Sequence, residues 1–286
     1  MPAMPPPKDN DPRQVSGSGE RKGTRGELGA ALEGALSRSI EGVEQVTLLF
    51  SGGLDSSLLA HMLLRRASSA PEPQGGGPEL RAVTVGLAGS ADLQQAESAA
   101  RLLGIPWTPF ELRPEEIAKA ADRVRAVESS DGPGKGTVSP SPPLQGMPLG
   151  VQTALYLALA KSPDARVLCG QGADELFLGY AHFRPLQGER LHVRYREDLR
   201  RLQEEEWPCT QRLAASLAKD LRAPYLDPAW VREVELFPLE ARRSATEPKA
   251  LLRVLARELG LPQELAERKK KAMQYGSGVH ATLGRR

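Results

Sequence analysis

The segment after the first β-branched apolar run carries the residues best suited to phosphate chemistry. It reads Ser51-Gly52-Gly53-Leu54-Asp55-Ser56-Ser57 and lies between a predicted strand, Val46–Phe50, and a predicted helix, Ser56–Arg66. Its two glycines let a ligand approach the backbone closely, and the free amides at a helix start attract anions. The serine hydroxyls add further donors. The segment therefore predicts a phosphate-binding loop; an ordinary glycine turn capped by serine is the alternative.

Carboxylates accompany this loop. Asp55 would repel a phosphate unless a cation lay between them, which predicts Mg²⁺ held jointly by Asp55 and the phosphates. A second acidic pair, Asp174 and Glu175, follows a predicted strand, Ala165–Cys169. Because the carboxyl ends of parallel strands meet at one edge of a sheet, we expect both carboxylate sites to lie there. Taken alone, such a pair is equally typical of a helix start.

The elements that position these residues alternate between strands and helices. Further strands are predicted at Leu80–Val85 and Trp107–Leu112. The predicted helices are Ala91–Leu103, Pro114–Val127 and Leu149–Ala160. Such alternation predicts βαβ units, a parallel sheet and a site at its carboxyl edge. After Gly179 the pattern becomes helical through about Leu265, so an α/β half precedes a helical half.

Composition and the loop-forming segments indicate which part of the chain is folded. The chain has 286 residues, a net charge of +2 and only two cysteines, which excludes a disulfide framework and predicts a reducing, cytoplasmic location. Residues 1–26 lack large apolar side chains and are predicted to form a disordered tail ahead of one domain, 27–286. Residues 68–79 and 129–148 are predicted loops. No apolar run is long enough to span a membrane.

Four stretches together resemble a known family. SGGLDSS resembles the signature of the N-type ATP pyrophosphatases, and within them the synthetase domain of asparagine synthetases. Segments matching three further family blocks follow in the family's order. They are Val83–Asp92, Gly170–Tyr180 (GQGADELFLGY) and Arg268–Gly278 (RKKKAMQYGSG). The last block is most similar to stand-alone archaeal members and to eukaryotic asparagine synthetase domain-containing proteins. The resemblance covers roughly residues 27–280 and implies an α/β fold of the adenine nucleotide alpha hydrolase-like (PP-loop, HUP) type with a C-terminal helical half.

The resemblance also implies roles for individual residues. It makes ATP and Mg²⁺ the cofactors, with Asp55 and Asp174 as metal ligands, and it places Lys270 on the α-phosphate and pyrophosphate. A shift of register would give that role to Lys269 or Lys271. The adenine would lie against Leu49, Val85 and Gly170, and the phosphates against Ser51, Gly52, Gly53, Asp55 and Ser56. The acid substrate would face Gln171, Gly172, Asp174 and Glu175, with Glu175 in a supporting role.

Two smaller features fit the family without a fixed role. Lys249, in the stretch PKALLR, is either a family lysine or a surface charge. The stretch Arg222-Ala223-Pro224-Tyr225-Leu226-Asp227 is predicted to be structural, with an ion pair at a helix turn. The Arg-rich helix Arg190–Arg201 is interleaved with acidic residues, which favours a solvated face over a contact with RNA.

Three departures from the family bear on the substrate. Met1-Pro2 does not provide the catalytic cysteine of a glutaminase, so we expect free ammonia, another amine or a separate amidotransferase as the nitrogen source. Gln171 replaces a glutamate assigned to ordering the acyl-adenylate, and an amide cannot act as a base. Cys209-Thr210-Gln211 stands where the family has an R-D-D run. The departures leave the acid substrate less secure than the ATP chemistry.

These features predict an asparagine synthase-like carbon–nitrogen ligase. It would adenylate a small-molecule acid, most simply aspartate, release pyrophosphate, and amidate the acid as AMP leaves. A PP-loop enzyme acting on another acid or on an RNA base is one alternative. A nucleotide-binding protein without catalysis is the other.

Overall fold

The computed structural model describes residues 23–69, 77–129, 149–244, 247–268 and 278–283. Within them, five parallel strands form one sheet in the order β3-β2-β1-β4-β5. The strands are β1 (Gln45–Leu49), β2 (Glu79–Gly86), β3 (Trp107–Glu111), β4 (Arg166–Leu168) and β5 (Asp220–Arg222). The register places Leu48 of β1 opposite Ala82 of β2 and Leu168 of β4. The parallel sheet with its crossover helices confirms the predicted fold class.

Helices cover both faces of the sheet and form most of the C-terminal half. They are α1 (Arg25–Ser39), α2 (Leu54–Ser69), α3 (Ala91–Leu103), α4 (Pro114–Ser129), α5 (Leu149–Lys161), α6 (Ala173–Leu176), α7 (Gly188–Arg201), α8 (Trp207–Ala215), α9 (Pro228–Glu235), α10 (Leu239–Arg242), α11 (Ala250–Glu258), α12 (Gln263–Ala266) and α13 (Val279–Leu283). A π-helical turn, Leu202–Glu206, joins α7 to α8. None of the described helices has the length and apolar character needed to cross a bilayer.

Two segments differ from the sequence predictions. Residues 220–222 were predicted to be helical, but they form β5, because pairing with β4 extends the sheet by one short strand. Arg25 and Gly26 were predicted to belong to the tail, but they form the first turn of α1, and residues 1–22 lie outside the described residues. A capping box explains this start: Thr24 accepts from the Glu27 amide while Glu27 accepts from the Thr24 amide. Both predicted loops are shorter than expected, because α2, β2 and α4 extend into them. Residues 70–76 and 130–148 of these loops lie outside the described residues.

The largest part of the core fixes the strand that carries the phosphate loop. Val46, Leu48 and Phe50 are buried against apolar side chains of α1 and α2, including Leu28 and Leu58. Burying each such side chain fully contributes about 1.5–3 kcal/mol. A second cluster packs α4, α5 and α13 against β2 on the other face. The carboxyl end of β1 is therefore held from both sides, and the loop that follows starts from a rigid point.

Candidate functional site

The phosphate loop is folded by its own serines. The Ser51 amide donates to Ser56 Oγ and the Gly53 amide donates to Ser51 Oγ, each over 3.3 Å, while the two hydroxyls lie 3.1 Å apart. Gly52 has φ +66, and a Cβ atom there would lie 2.6 Å from the Gln95 carbonyl oxygen. A side chain at this position would therefore collide with α3. The long hydrogen bonds are readily exchanged for those of a phosphate.

Three distant side chains fix the position of this loop. Gln95 Nε2 donates to the Ser51 carbonyl over 3.0 Å, and Tyr225 Oη donates to the Asp55 carbonyl over 3.0 Å. Arg268 donates to the Gly52 carbonyl over 3.1 Å and to the Gln95 carbonyl over 3.0 Å. Because these donors take carbonyl oxygens, they constrain the loop without occupying its amides.

Two predicted metal ligands converge on one lysine. Lys249 Nζ lies 2.5 Å from Asp55 Oδ2 and 2.8 Å from Asp174 Oδ1, although the three residues are far apart in sequence. The Lys249 side chain is 4% exposed, whereas those of Asp55 and Asp174 are 20% and 19% exposed. Burial by itself lowers the pKa of Lys249, but the two carboxylates outweigh it and hold that pKa above its ordinary value. The ammonium is therefore charged at neutral pH.

The backbone around this lysine is strained. Lys249 has φ +59 and its amide donates to the Phe177 carbonyl over 3.2 Å, while Leu178 has φ +55. Gly179 passes so close that a Cβ atom there would overlap both Asp174 Oδ1 and Lys249 Cε. Left-handed conformations of residues other than glycine cost about 1–3 kcal/mol each and concentrate at functional sites. The strain therefore makes the contact between Lys249 and the segment after α6 a candidate functional feature.

Glu175 lies behind Asp174. Its side chain is buried and accepts a hydrogen bond of 2.6 Å from Tyr180 Oη. Burial, with Asp174 beside it, raises the pKa of Glu175 to about 7. The same burial, with Glu175 and Asp174 nearby, raises the pKa of Tyr180, so its phenol remains a donor. The Glu175 carboxyl is therefore buried and bonded to Tyr180, and the supporting role expected for it stays a prediction.

The turn before α6 lies between the phosphate loop and the stretch that follows β5. A Cβ atom at Gly170 would lie 3.3 Å from Asp55 Cβ. Gly172 has φ +98, and a Cβ atom there would lie 2.5 Å from Leu226 Cδ2. Gln171, between them, is partly exposed. The structure thus brings Gly170 next to Asp55 and Gly172 next to the segment 224–226.

The other predicted positions divide into two groups. Leu49 and Val85 belong to one apolar cluster near the carboxyl ends of β1 and β2, and their contact with an adenine stays a prediction. Lys269, Lys270 and Lys271 lie outside the described residues. The role assigned to Lys270 therefore stays a prediction.

The structure decides between the two alternatives for Lys249 and confirms an ion pair at Asp227. Lys249 is not a surface charge, because α11 begins directly after it and directs its side chain inward. Asp227 does form an ion pair at a helix turn, but its partner is Arg38 of α1, at 2.7 Å, while Arg222 pairs with Asp220. The only sequence signal for Lys249 was its place in the stretch PKALLR.

Sequence reasoning also missed two arginines that link the C-terminal segment to the site. Arg253, one turn after Lys249, is buried and donates to the carbonyls of Pro248, Ala266 and Arg268. Arg268 in turn donates to the phosphate loop. Its side chain is only 15% exposed.

The donor set fits Mg²⁺ bound together with phosphates. Mg²⁺ takes oxygen ligands and is commonly held by one or two carboxylates plus substrate phosphates. Asp55 and Asp174 offer two carboxylates at the mouth of the phosphate loop. In the part of the chain that the structure describes, no three His, Cys, Asp or Glu side chains group into a metal site. The residues fit a metal that arrives with a nucleotide rather than one enclosed by protein alone.

The fold and this site define a class of protein. A parallel α/β sheet with a glycine–serine loop after its central strand, next to paired aspartates, is typical of enzymes that bind nucleotide phosphates through a helix start. The family is given by the sequence itself. The family model described as "Asparagine synthase" matches residues 27–219 and 185–285, so the chain belongs to the asparagine synthase family.

Individual relatives agree with this assignment. The chain is 27% identical over 242 residues to an asparagine synthetase [glutamine-hydrolyzing] of Arabidopsis thaliana, covering 81% of this chain and 39% of that protein. It is 27% identical over 291 residues to a putative one of Methanocaldococcus jannaschii, covering 88% and 49%. The chain thus spans less than half the length of these relatives. Among solved structures, NMN synthetase from Francisella tularensis aligns over 92% of this chain and 94% of its own, with 15% identity and a TM-score of 0.36.

Proposed function

We propose that this protein is an ATP-dependent carbon–nitrogen ligase of the asparagine synthase type. It adenylates a carboxylate, most simply that of aspartate, and then transfers the acyl group to ammonia or another amine. The observation that carries this proposal is the convergence of Asp55, Asp174 and Lys249 at the open end of a phosphate loop in a member of the asparagine synthase family. Family membership supports ATP-dependent ligation in general. The identities of the acid and the amine go beyond it and are part of the proposal.

The residues divide the work of the first step. The loop amides and the hydroxyls of Ser51 and Ser56 bind the triphosphate. Asp55 and Asp174 would hold Mg²⁺, which supplies charge neutralisation on the phosphates when it is bound. Lys249, buried between these carboxylates, keeps them in place. Lys270 is proposed to contact the α-phosphate.

The second step requires an amine at the acyl-adenylate. Gln171 follows Gly170, which lies beside Asp55, on the turn before α6; a glutamine amide could orient an acyl group but cannot remove a proton. An unprotonated amine, supplied as free ammonia or by a separate amidotransferase, would attack the acyl carbon. AMP then leaves with the electrons of the acyl–oxygen bond.

A direct assay tests the proposal. Purified protein is mixed with ATP, Mg²⁺, aspartate and ammonium, and AMP, pyrophosphate and asparagine are measured. We expect equal amounts of all three products, each dependent on aspartate. Aspartate-dependent exchange of labelled pyrophosphate into ATP, measured without ammonium, isolates the adenylation step. AMP formation that does not depend on any acid would contradict the proposal.

Two observations favour a second candidate, adenylation of a different acceptor. Gln171 replaces the expected glutamate, and Cys209 and Thr210 are buried in α8, where they offer no charge to a substrate. A panel of other small acids and unmodified tRNA in the same exchange assay distinguishes the two candidates. Exchange with one of these and none with aspartate would favour the second. ATP binding without AMP formation under any condition would favour a nucleotide-binding protein without catalysis.

A further inference from the structure

The position of Lys249 resembles that of a bound metal ion. One Nζ atom bridges an oxygen of Asp55 and an oxygen of Asp174 at 2.5 and 2.8 Å. The lysine is nearly inaccessible, whereas about a fifth of each aspartate side chain is exposed. The ammonium is therefore shielded from solvent, whereas part of each aspartate side chain remains accessible.

This bridging ammonium is held in place by the backbone. Lysine side chains on a surface are flexible, but here the residue adopts φ +59 directly before α11. Gly179 packs against Lys249 Cε and Asp174 Oδ1, and its amide donates to the Asp174 carbonyl over 2.7 Å. Movement of the ammonium away from the carboxylates would require α6 and α11 to separate.

The charges then determine what a metal ion meets in the protein without nucleotide. The two carboxylates carry two negative charges, and the ammonium cancels one of them at short range. No third His, Cys, Asp or Glu side chain joins them within the described residues. A divalent cation that approaches without nucleotide therefore finds few ligands and half of the attraction that two carboxylates would provide.

We propose that Lys249 makes divalent-cation binding conditional on the nucleotide: its fixed ammonium prevents the Asp55–Asp174 pair from retaining a metal ion by itself, so the cation binds together with a triphosphate. The proposal rests on the proposed function, because it takes this pair as the metal site of an ATP-using enzyme. Its consequence is an order of binding in which metal and nucleotide enter together.

Binding of Mn²⁺ to the nucleotide-free protein tests the proposal. Electron paramagnetic resonance measures free Mn²⁺ during a titration of the wild type, Lys249→Met, and the double variant Lys249→Met with Asp174→Asn. We expect millimolar binding to the wild type, binding tighter by about 100-fold or more to Lys249→Met, and a return to weak binding in the double variant. Lys219→Met is the matched control, because Lys219 bonds backbone carbonyls at the other end of the sheet and should leave Mn²⁺ binding unchanged.

Thermal unfolding with and without Mn²⁺ gives a second readout. Removing one member of a buried ion pair is strongly destabilising, so Lys249→Met should melt lower than the wild type. Mn²⁺ should raise its melting temperature and leave that of the wild type unchanged. If Lys249→Met folds only with Mn²⁺ present, the proposal is supported. If it does not fold even then, Lys249→Gln takes its place under the same criteria.

Two results would overturn the proposal. One is tight binding of Mn²⁺ to the nucleotide-free wild type, and the other is equal Mn²⁺ affinity of the wild type and the lysine variant. Neither measurement contains an acid substrate or ATP. A failure of the proposed ligase activity, seen as no AMP with any acid, is therefore distinguishable from a failure of this inference.

Discussion

Both ends of the sheet bury a carboxylate beside a cation. At the amino end, Asp164 is 6% exposed and accepts from Thr47 Oγ1 at 2.8 Å and from an Arg81 guanidinium at 3.1 Å. Lys219 completes this network by donating to the backbone carbonyls of Asp164 and Ser162. At the carboxyl end, Asp55 and Asp174 are more exposed than Asp164, and both pair with the ammonium of Lys249.

The two clusters differ in the exposure of their carboxylates and in the backbone around them. In the amino-end cluster, the Asp164 carboxylate has a hydroxyl and a guanidinium partner, and Lys219 donates to neutral carbonyl oxygens. Such a network is typical of groups that stabilise a fold. In the carboxyl-end cluster the ion pairs join two partly exposed carboxylates to one buried ammonium, and two residues, Leu178 and Lys249, have left-handed backbone conformations. Buried ionic groups alone therefore do not indicate a candidate site; exposure of the carboxylates and backbone strain together do.

The largest expected effect is that of Asp55→Asn on catalysis. Loss of this carboxylate removes a metal ligand, so AMP formation should fall by about 10³-fold, equivalent to several kcal/mol of transition-state stabilisation. Because Asp174 still pairs with Lys249, the free energy of unfolding should change little. The checks are the aspartate-dependent AMP assay and urea unfolding. A variant with more than about a tenth of wild-type activity would remove Asp55 from the proposed mechanism.

The reverse behaviour is expected of Asp164→Asn. This change weakens the hydrogen bonds to Thr47 and Arg81 in a buried position, which should lower the free energy of unfolding by about 1–3 kcal/mol. The rate of AMP formation per folded molecule should stay within about twofold of the wild type, since the site is at the other end of the sheet. If the rate falls while stability is unchanged, the contrast between the two ends is wrong.

A third carboxylate, Asp227, provides a comparison for the Asp55 and Asp164 variants. Asp227 caps α9 through the amides of Ala229 and Trp230 and pairs with Arg38, and these interactions, the hydrogen bond from Arg38 foremost, lower its pKa. Asp227→Asn preserves the cap and removes the charge, so at neutral pH it should cost about 1 kcal/mol of stability and leave activity unchanged.

The pH dependence of this variant has a fixed sign. Since the folded-state pKa of Asp227 is lower than the unfolded value, its contribution is fully present above about pH 4. The contribution is lost as the pH falls through the lower, folded-state pKa. Urea unfolding of the wild type and Asp227→Asn should therefore show a stability difference at pH 7 that narrows below pH 4. A difference that widens in acid would contradict the assignment.

The smallest effect tests strain at the amino end. Ala218 adopts φ +53 at the end of α8, directly before Lys219. Ala218→Gly removes the left-handed penalty and adds backbone entropy to the unfolded chain, for a net gain of about 0.5–1 kcal/mol. Thermal unfolding measures the gain, and AMP formation should stay at the wild-type rate. Lower activity would show that this strained residue, like Leu178 and Lys249, serves the site.

The sequence predicted the parts of the fold that local patterns determine. Helix α3 ends at Leu103, as expected, because Gly104 takes the left-handed conformation after it. β1 and β2 read as buried strands because their apolar runs are bounded by glycine or polar residues. β5 has three residues and only Leu221 buried, so nothing local distinguishes it from the helices around it. Its strand conformation comes from β4.

The candidate site likewise combines features that the local sequence predicts with features that only the fold creates. The phosphate loop is one continuous motif with a strand before it and a helix after it, so it could be recognised from the chain alone. Lys249 could not be placed, since its partners lie 194 and 75 positions earlier in the sequence. This lysine can be buried because two carboxylates pair with its ammonium. Those carboxylates come together only in the folded structure, so the sequence around Lys249 does not reveal them.

The order in which the ribosome makes these residues gives that separation a further meaning. Domains fold from the N-terminus as the chain emerges, so the sheet that positions α2 with Asp55 and α6 with Asp174 can begin to form before residue 249 exists. A nascent chain at that stage holds these two carboxylates without the ammonium of Lys249. The arrival of Lys249 then supplies this cation and links the α/β half to the helical half.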